Sequence, residues 1–146
     1  MFHWIVAGPN GELDWMFPNV TPEQMAVIGQ LTSSVDTMIL GRNTYLEQEA
    51  AFSNEASDLA SAMNNLNKIL FSKNLNKVEW QNSRLATDDP TNEINKLKQQ
   101  DGKNIHVSGG SSLAKSFLEL GLIDEPSFVY TSCNIRSRKN DFFRFC

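Results

Sequence analysis

Three short apolar runs in this chain each break off into small, hydroxylated or cationic residues and then into a helix-like pattern. That repeated alternation restricts its fold more than any other feature. Residues 36–40 lead into Gly41, Arg42, Asn43 and Thr44, of which Asn43 and Thr44 can cap a helix. Residues 68–71, ending in Phe71, lead into Ser72 and Lys73, and residues 105–107 lead into Ser108, Gly109, Gly110, Ser111 and Ser112. Helical patterns lie between them. Thr21 is placed as an N-cap, Pro22 as the first helical residue and Gln24 as the capping-box partner, with Met25, Ile28 and Leu31 on one face. Residues 55–66 carry Ala56, Leu59, Ala60 and Met63 at helical spacing. Asp89 and Pro90 open a further helix through Ile94 and Leu97, and residues 78–80 suit a short strand. Ser111 or Ser112 caps a last helix through Leu113, Phe117, Leu118 and Leu120, and Gly121 stops it. Strands alternating with helices predict an α/β domain, with a mostly parallel sheet flanked by helices. A chain of 146 residues fits one such domain, 1–146.

Composition narrows the function classes. The formal net charge of -4 argues against a nucleic-acid or membrane surface as partner. No apolar run approaches the roughly 20 residues that span a bilayer, and no leader pattern is present, so the expected location is the cytoplasm. The cysteines, Cys133 and Cys146, and the histidines, His3 and His106, show no metal-ligand spacing, so no metal is expected.

The three strand ends carry the functional expectation. In a parallel sheet the carboxyl ends share one rim, and helix N-termini beside them offer backbone N–H groups to anions. Glycines, hydroxyls, a guanidinium and an ammonium at that rim suit a phosphate-rich dinucleotide.

These same segments carry a family resemblance. Residues 10–15 are similar to the loop after the first strand in the dihydrofolate reductase superfamily, in the branch related to the C-terminal reductase domain of riboflavin biosynthesis. Residues 39–45 resemble its GRxT segment, Ser108 to Ser111 its glycine pair, and residues 121–125 the phrase before its last strands. The resemblance covers residues 5–125 and leaves 126–146 as an atypical tail. It implies an NADPH-dependent reductase that transfers hydride to a small heterocycle. The substrate would be a ribosylamino-pyrimidine of the riboflavin-pathway type, making the enzyme phosphoribosylamino-uracil reductase-like, or else a pterin. The alternative is a non-catalytic NADPH-binding remnant of the family.

The resemblance also implies roles. Ala7, Gly41, Arg42, Asn43, Thr44, Phe71, Ser72, Lys73, Ser108, Gly109, Gly110, Ser111, Ser112 and Leu113 would bind the cofactor. Gly109 and Gly110 would approach the pyrophosphate closely, in this superfamily often through a cis peptide. Ser72 and Lys73 would favour a 2′-phosphate and hence NADPH over NADH. Trp15 and Gln24 would line the substrate side. Gln24 aligns with the acidic residue that serves folate reduction and has no titratable proton, so folate is the weaker substrate. Asp14 is the nearby acid nominated for catalysis. A small-molecule substrate and a homodimer complete the expected partners.

Both ends depart from the family pattern. Residues 1–4 stand where the family has a first strand ending in Ser-Leu-Asp-Gly, and residues 130–145 lack its His-Pro-Val-Ile-Leu-Gly-like turn. Alternate-frame back-translation accommodates much of both motifs. The expectation is therefore a coding sequence frameshifted near both ends, and a sheet incomplete there, without its interior first strand.

Overall fold

The structure is a computed structural model that describes residues 2–3, 21–108 and 111–127. In chain order the elements are β1 (Phe2–His3), α1 (Pro22–Ser33), β2 (Val35–Gly41), α2 (Arg42–Phe52), α3 (Asp58–Asn65) and β3 (Asn67–Phe71). They continue with β4 (Ser83–Leu85), α4 (Pro90–Lys98), β5 (Asn104–Ser108), α5 (Ser111–Glu119) and β6 (Pro126–Ser127). The strands form one sheet in the order β4-β3-β2-β5-β1-β6, and every pairing is parallel. This is the α/β architecture that the alternation predicts.

β2 is the spine of the sheet. Its side chains alternate between faces, as a strand buried on both sides requires. Met38 and Leu40 join Tyr45 of α2, Met63 of α3, Leu70 and Trp80 in one core. Ile39 joins Val107, Ile94 of α4, and Ala114 and Phe117 of α5 in the other. Ile39 and Leu40 are wholly buried, so consecutive residues fill opposite cores.

The helix boundaries follow from identifiable caps. Thr21 accepts from the Gln24 N–H while Gln24 Oε1 accepts from the Thr21 N–H, the reciprocal capping box that the sequence predicts. Asp89 accepts from the N–H groups of Thr91 and Asn92. After α5, Gly121 has a φ of 64° and donates to the Leu118 carbonyl, while Leu122 donates to that of Phe117. That pair of bonds is a Schellman ending, which favours glycine at its left-handed position.

Three expectations are corrected. Asn43 and Thr44 do not cap α2: the helix starts at Arg42, with Gly41 as an N-cap that supplies no side-chain bond. The helix expected over 55–66 starts at Asp58, because the Ser57 hydroxyl accepts from the Ala60 N–H and fixes its first turn. Residues 78–80 form no strand; the strand is Ser83–Leu85, placed after a turn in which Ser83 donates to the Trp80 carbonyl. At the interior position where the family's first strand is expected to be lacking, the sheet holds only the two-residue β1, in which Phe2 pairs with Val107 on one side and Pro126 on the other.

Trp80 is held by burial and by three polar contacts. Its backbone N–H donates to the Tyr45 hydroxyl at 2.9 Å, its indole N–H donates to Asn64 Oδ1 at 2.6 Å, and the Lys68 ammonium lies 4.4 Å from its ring centroid. Lys68 is itself buried and donates to the carbonyls of Asn64, Leu66 and Gln81. On the other side of the sheet, buried Glu93 of α4 takes a two-pronged bond from Arg84 of β4 and two more from Thr87. Those bonds, Arg84 first, hold its carboxyl down to about 2. Among the described residues no helix is long and apolar enough to cross a membrane.

Burial lowers Lys68 from 10.5 to about 8. Between those values the unfolded chain holds the proton more tightly, so Lys68 contributes a rise in stability with pH. Denaturant titrations of wild type should show this rise from pH 8 to 10.5. The same titrations of Lys68→Met should lack it.

Candidate functional site

Parallel pairing aligns three strand ends. Gly41 stands opposite Phe71, and Leu40 opposite Ser108, so β2, β3 and β5 finish on one rim. α2 follows β2 with no intervening residue, and α5 begins at Ser111. The positive ends of two helix dipoles therefore lie beside the rim.

At the β2 end, Gly41 has an ordinary φ of -86°. A Cβ placed there would meet Leu113 of α5 at 3.9 Å, a normal contact. Neither backbone strain nor crowding within the fold demands glycine at this position, which leaves the strand end open to close approach. No side chain caps α2, so its first-turn N–H groups are left for another acceptor. Arg42 and Asn43 are exposed and Thr44 is partly buried.

At the β3 end, Ser72 Oγ accepts from the N–H groups of Asn74 and Leu75, each at 3.2 Å. Both lone pairs are thereby engaged, and the hydroxyl can offer only its proton. Lys73 follows and is exposed. The Phe71 ring turns into the core, edge-on to Phe117 with centroids 5.7 Å apart, so only its backbone faces the rim. Leu113 likewise packs on that core.

At the β5 end, buried Ser108 accepts a 3.2 Å bond from Gln48 Nε2 of α2. Gln48 Oε1 is also buried and has no partner. Ser112 is exposed in the first turn of α5, and its carbonyl accepts from the Ser116 hydroxyl.

The cations discriminate the rim from the rest of the surface. Lys77, Arg84, Lys96, Lys98 and Lys115 pair with carboxylates. Lys68 and Lys103 donate to backbone carbonyls. Among the described residues only Arg42 and Lys73 lack any such partner, and both stand at the rim.

Not every predicted residue joins this arrangement. Gln24 lies in the first turn of α1, where its amide oxygen caps the helix. Ala7, Asp14, Trp15, Gly109 and Gly110 lie outside the described residues. Sequence reasoning missed Tyr45, whose buried hydroxyl accepts from the N–H groups of Glu79 and Trp80 and donates to Glu49. It also missed Gln48, although the spacing from Thr44 to Gln48 puts both on one helix face. Glu47, beside it in sequence, is partly buried, and burial raises its carboxyl.

Comparison with known proteins identifies the family. The profile of the family described as the RibD C-terminal domain matches residues 5–133. The chain is also 33% identical over 125 residues to the uncharacterized protein YyaP of Bacillus subtilis (strain 168). That similarity covers 82% of this chain and 64% of the relative, so the chain spans less than two thirds of that protein.

The capping box assigns Gln24 a structural duty that substitution will expose. Gln24→Ala is expected to lower unfolding free energy by about 0.5–1 kcal/mol, through loss of a reciprocal cap. Urea denaturation monitored by circular dichroism checks this.

Proposed function

Because the chain belongs to the RibD C-terminal domain family, a reductase-type branch of the dihydrofolate-reductase-like superfamily, we propose that it binds NADPH across the rim and acts as an NADPH-dependent reductase. The observation that carries this reading is the pair of partnerless cations. In a chain of net charge -4, Arg42 and Lys73 have no carboxylate partner among the described residues, at the rim where two helices begin.

The donor set suits the anionic parts of the dinucleotide. First-turn N–H groups of α2 and the Arg42 guanidinium fit a pyrophosphate, which accepts hydrogen bonds and donates none. The donor-only Ser72 hydroxyl and the Lys73 ammonium fit a ribose 2′-phosphate. Gly41 admits close approach of the ligand to backbone.

When bound, the cofactor supplies the hydride, and the protein sets distance and orientation. The proposed acceptor is a small heterocycle, with a ribosylamino-pyrimidine ahead of a pterin. Gln24 has no proton to give and its oxygen is committed to the helix cap, which weighs against folate chemistry. Asp14 is the proposed acid, with Trp15 on the substrate side. The same commitment of Gln24 favours one second reading, in which the rim binds NADPH without turnover.

Tryptophan-fluorescence titration should show saturable binding that prefers NADPH to NADH. Arg42→Ala is expected to weaken NADPH by about 1.5–3 kcal/mol, the value of a hydrogen bond to a charged group. Lys73→Ala should narrow the preference over NADH. A folded wild type that binds neither nucleotide would overturn the proposal.

Asp14→Asn separates the two readings of turnover. It is expected to abolish NADPH oxidation, followed by absorbance in the presence of a ribosylamino-pyrimidine, while leaving NADPH affinity unchanged. Wild type that binds NADPH and oxidises it with neither pyrimidine nor pterin identifies the non-catalytic form.

A further inference from the structure

Among the described residues two buried side-chain polar atoms lack a hydrogen-bond partner, Gln48 Oε1 and Ser83 Oγ. Ser83 belongs to the amino end of the edge strand β4, opposite Lys68, away from the rim. Gln48 lies at the rim, with its Nε2 on Ser108, the last residue of β5. An orphaned acceptor withdrawn from water is costly, and a native site recovers that cost when a donor arrives.

The chemistry of the pair specifies the donor. Gln48 Oε1 can only accept. Ser108 Oγ already accepts from Gln48, so its remaining hydrogen is available to donate. Together they present an acceptor and a donor side by side. A phosphate cannot satisfy this pair, because it has no hydrogen to give. A neutral group that both donates and accepts satisfies it, and NADPH carries several, among them the ribose hydroxyls and the nicotinamide carboxamide.

Resting on the NADPH reading, we propose that Gln48 and Ser108 form a subsite for such a neutral group, a ribose hydroxyl or the carboxamide. Gln48 Oε1 accepts from it and the Ser108 hydroxyl donates to it. This subsite adds a contact that discriminates by hydrogen-bond direction to the phosphate contacts of Arg42 and Lys73.

The test compares wild type with Gln48→Leu, and with Gln48→Met should the leucine variant fold poorly. Each is titrated with NADPH and with 2′-phospho-ADP-ribose, and thermal midpoints are measured alongside. Removing a buried polar orphan should leave the ligand-free midpoint unchanged or raised, while NADPH affinity falls about tenfold. The same loss with 2′-phospho-ADP-ribose excludes the carboxamide and places the donor in the ADP-ribose portion. Loss confined to NADPH assigns it to the carboxamide. A variant that gains stability and binds NADPH as tightly as wild type overturns the subsite and leaves the wider reading intact. Wild type that does not bind NADPH removes both.

Discussion

The Lys68 ammonium, buried beneath Trp80, organises the half of the molecule that carries β3 and β4. Its hydrogen bonds reach the carbonyls of Asn64 at the end of α3, Leu66 before β3 and Gln81 before β4. One cation thereby joins backbone carbonyls from three consecutive segments, and the Asn64 carbonyl takes a further bond from the Asn82 amide. Trp80 covers it, and the indole N–H returns to Asn64. The Tyr45 hydroxyl closes the circuit by receiving two backbone N–H groups from the segment before β4. α2, α3, β3 and the approach to β4 are therefore fixed by one polar knot inside an apolar core. The registers of β3 with β2 and of β4 with β3 follow from it. Because β3 is held in register, Phe71 ends opposite Gly41 and the rim is level.

The second core performs the corresponding task for β5. Phe117 is fully buried and meets the Phe71 ring edge-on, a favoured aromatic geometry. Leu113, one turn earlier on α5, sits against the end of β2. Aromatic packing thus ties the start of α5 to the ends of two strands, so the helix dipole is aimed by the core. The Schellman bonds at Gly121 stop α5 and return Leu122 to the same core. Glu93 locks α4 to β4 on this face through Arg84 and Thr87. Each polar network is nearly closed within itself.

What the sequence made legible is what local chemistry controls. Thr21, Asp89 and Gly121 announce helix ends through their own hydrogen bonds or backbone freedom, and each acts as read. The apolar runs through Met38–Leu40, Ile69–Leu70 and Ile105–Val107 could only be strands buried on two faces. Apart from the start of α3, which the local Ser57 cap sets, the misreadings are tertiary. Asn43 and Thr44 have capping chemistry, but the strand delivers the chain into α2 at Gly41, two residues before Asn43 and three before Thr44. Residues 78–80 have strand-like composition, yet Trp80 is drawn under the sheet by Tyr45, Asn64 and Lys68, all distant in sequence. Gln24 carried an alignment-based role, while its spacing from Thr21 carried a cap, and the cap is visible in the bonds. Gln48 gave no signal alone, since a glutamine within a helix is ordinary until its neighbour at the end of β5 is known.

The proposed dinucleotide rim rests on a contrast between satisfied and unsatisfied groups. Away from the rim, the described cations have carboxylates or carbonyls and the polar networks close except at Ser83 Oγ, even where burial makes that demanding, as at Lys68 and Glu93. At the rim the opposite holds. α2 begins without a side-chain cap, Arg42 and Lys73 have no described partner, the Ser72 hydroxyl keeps only its donor, and Gln48 Oε1 has no donor. A chain of net negative charge has carboxylates enough to neutralise two more cations. Leaving these two bare costs little in stability, since exposed ion pairs contribute about 0–1 kcal/mol. It keeps both available for charge-assisted bonds to a phosphate, which are stronger. The alignment of unmet groups follows from the parallel sheet, because only that topology brings the ends of β2, β3 and β5 to the same side. The core sets the register, the register levels the strand ends, and the unmet chemistry at those ends is what a dinucleotide can complete.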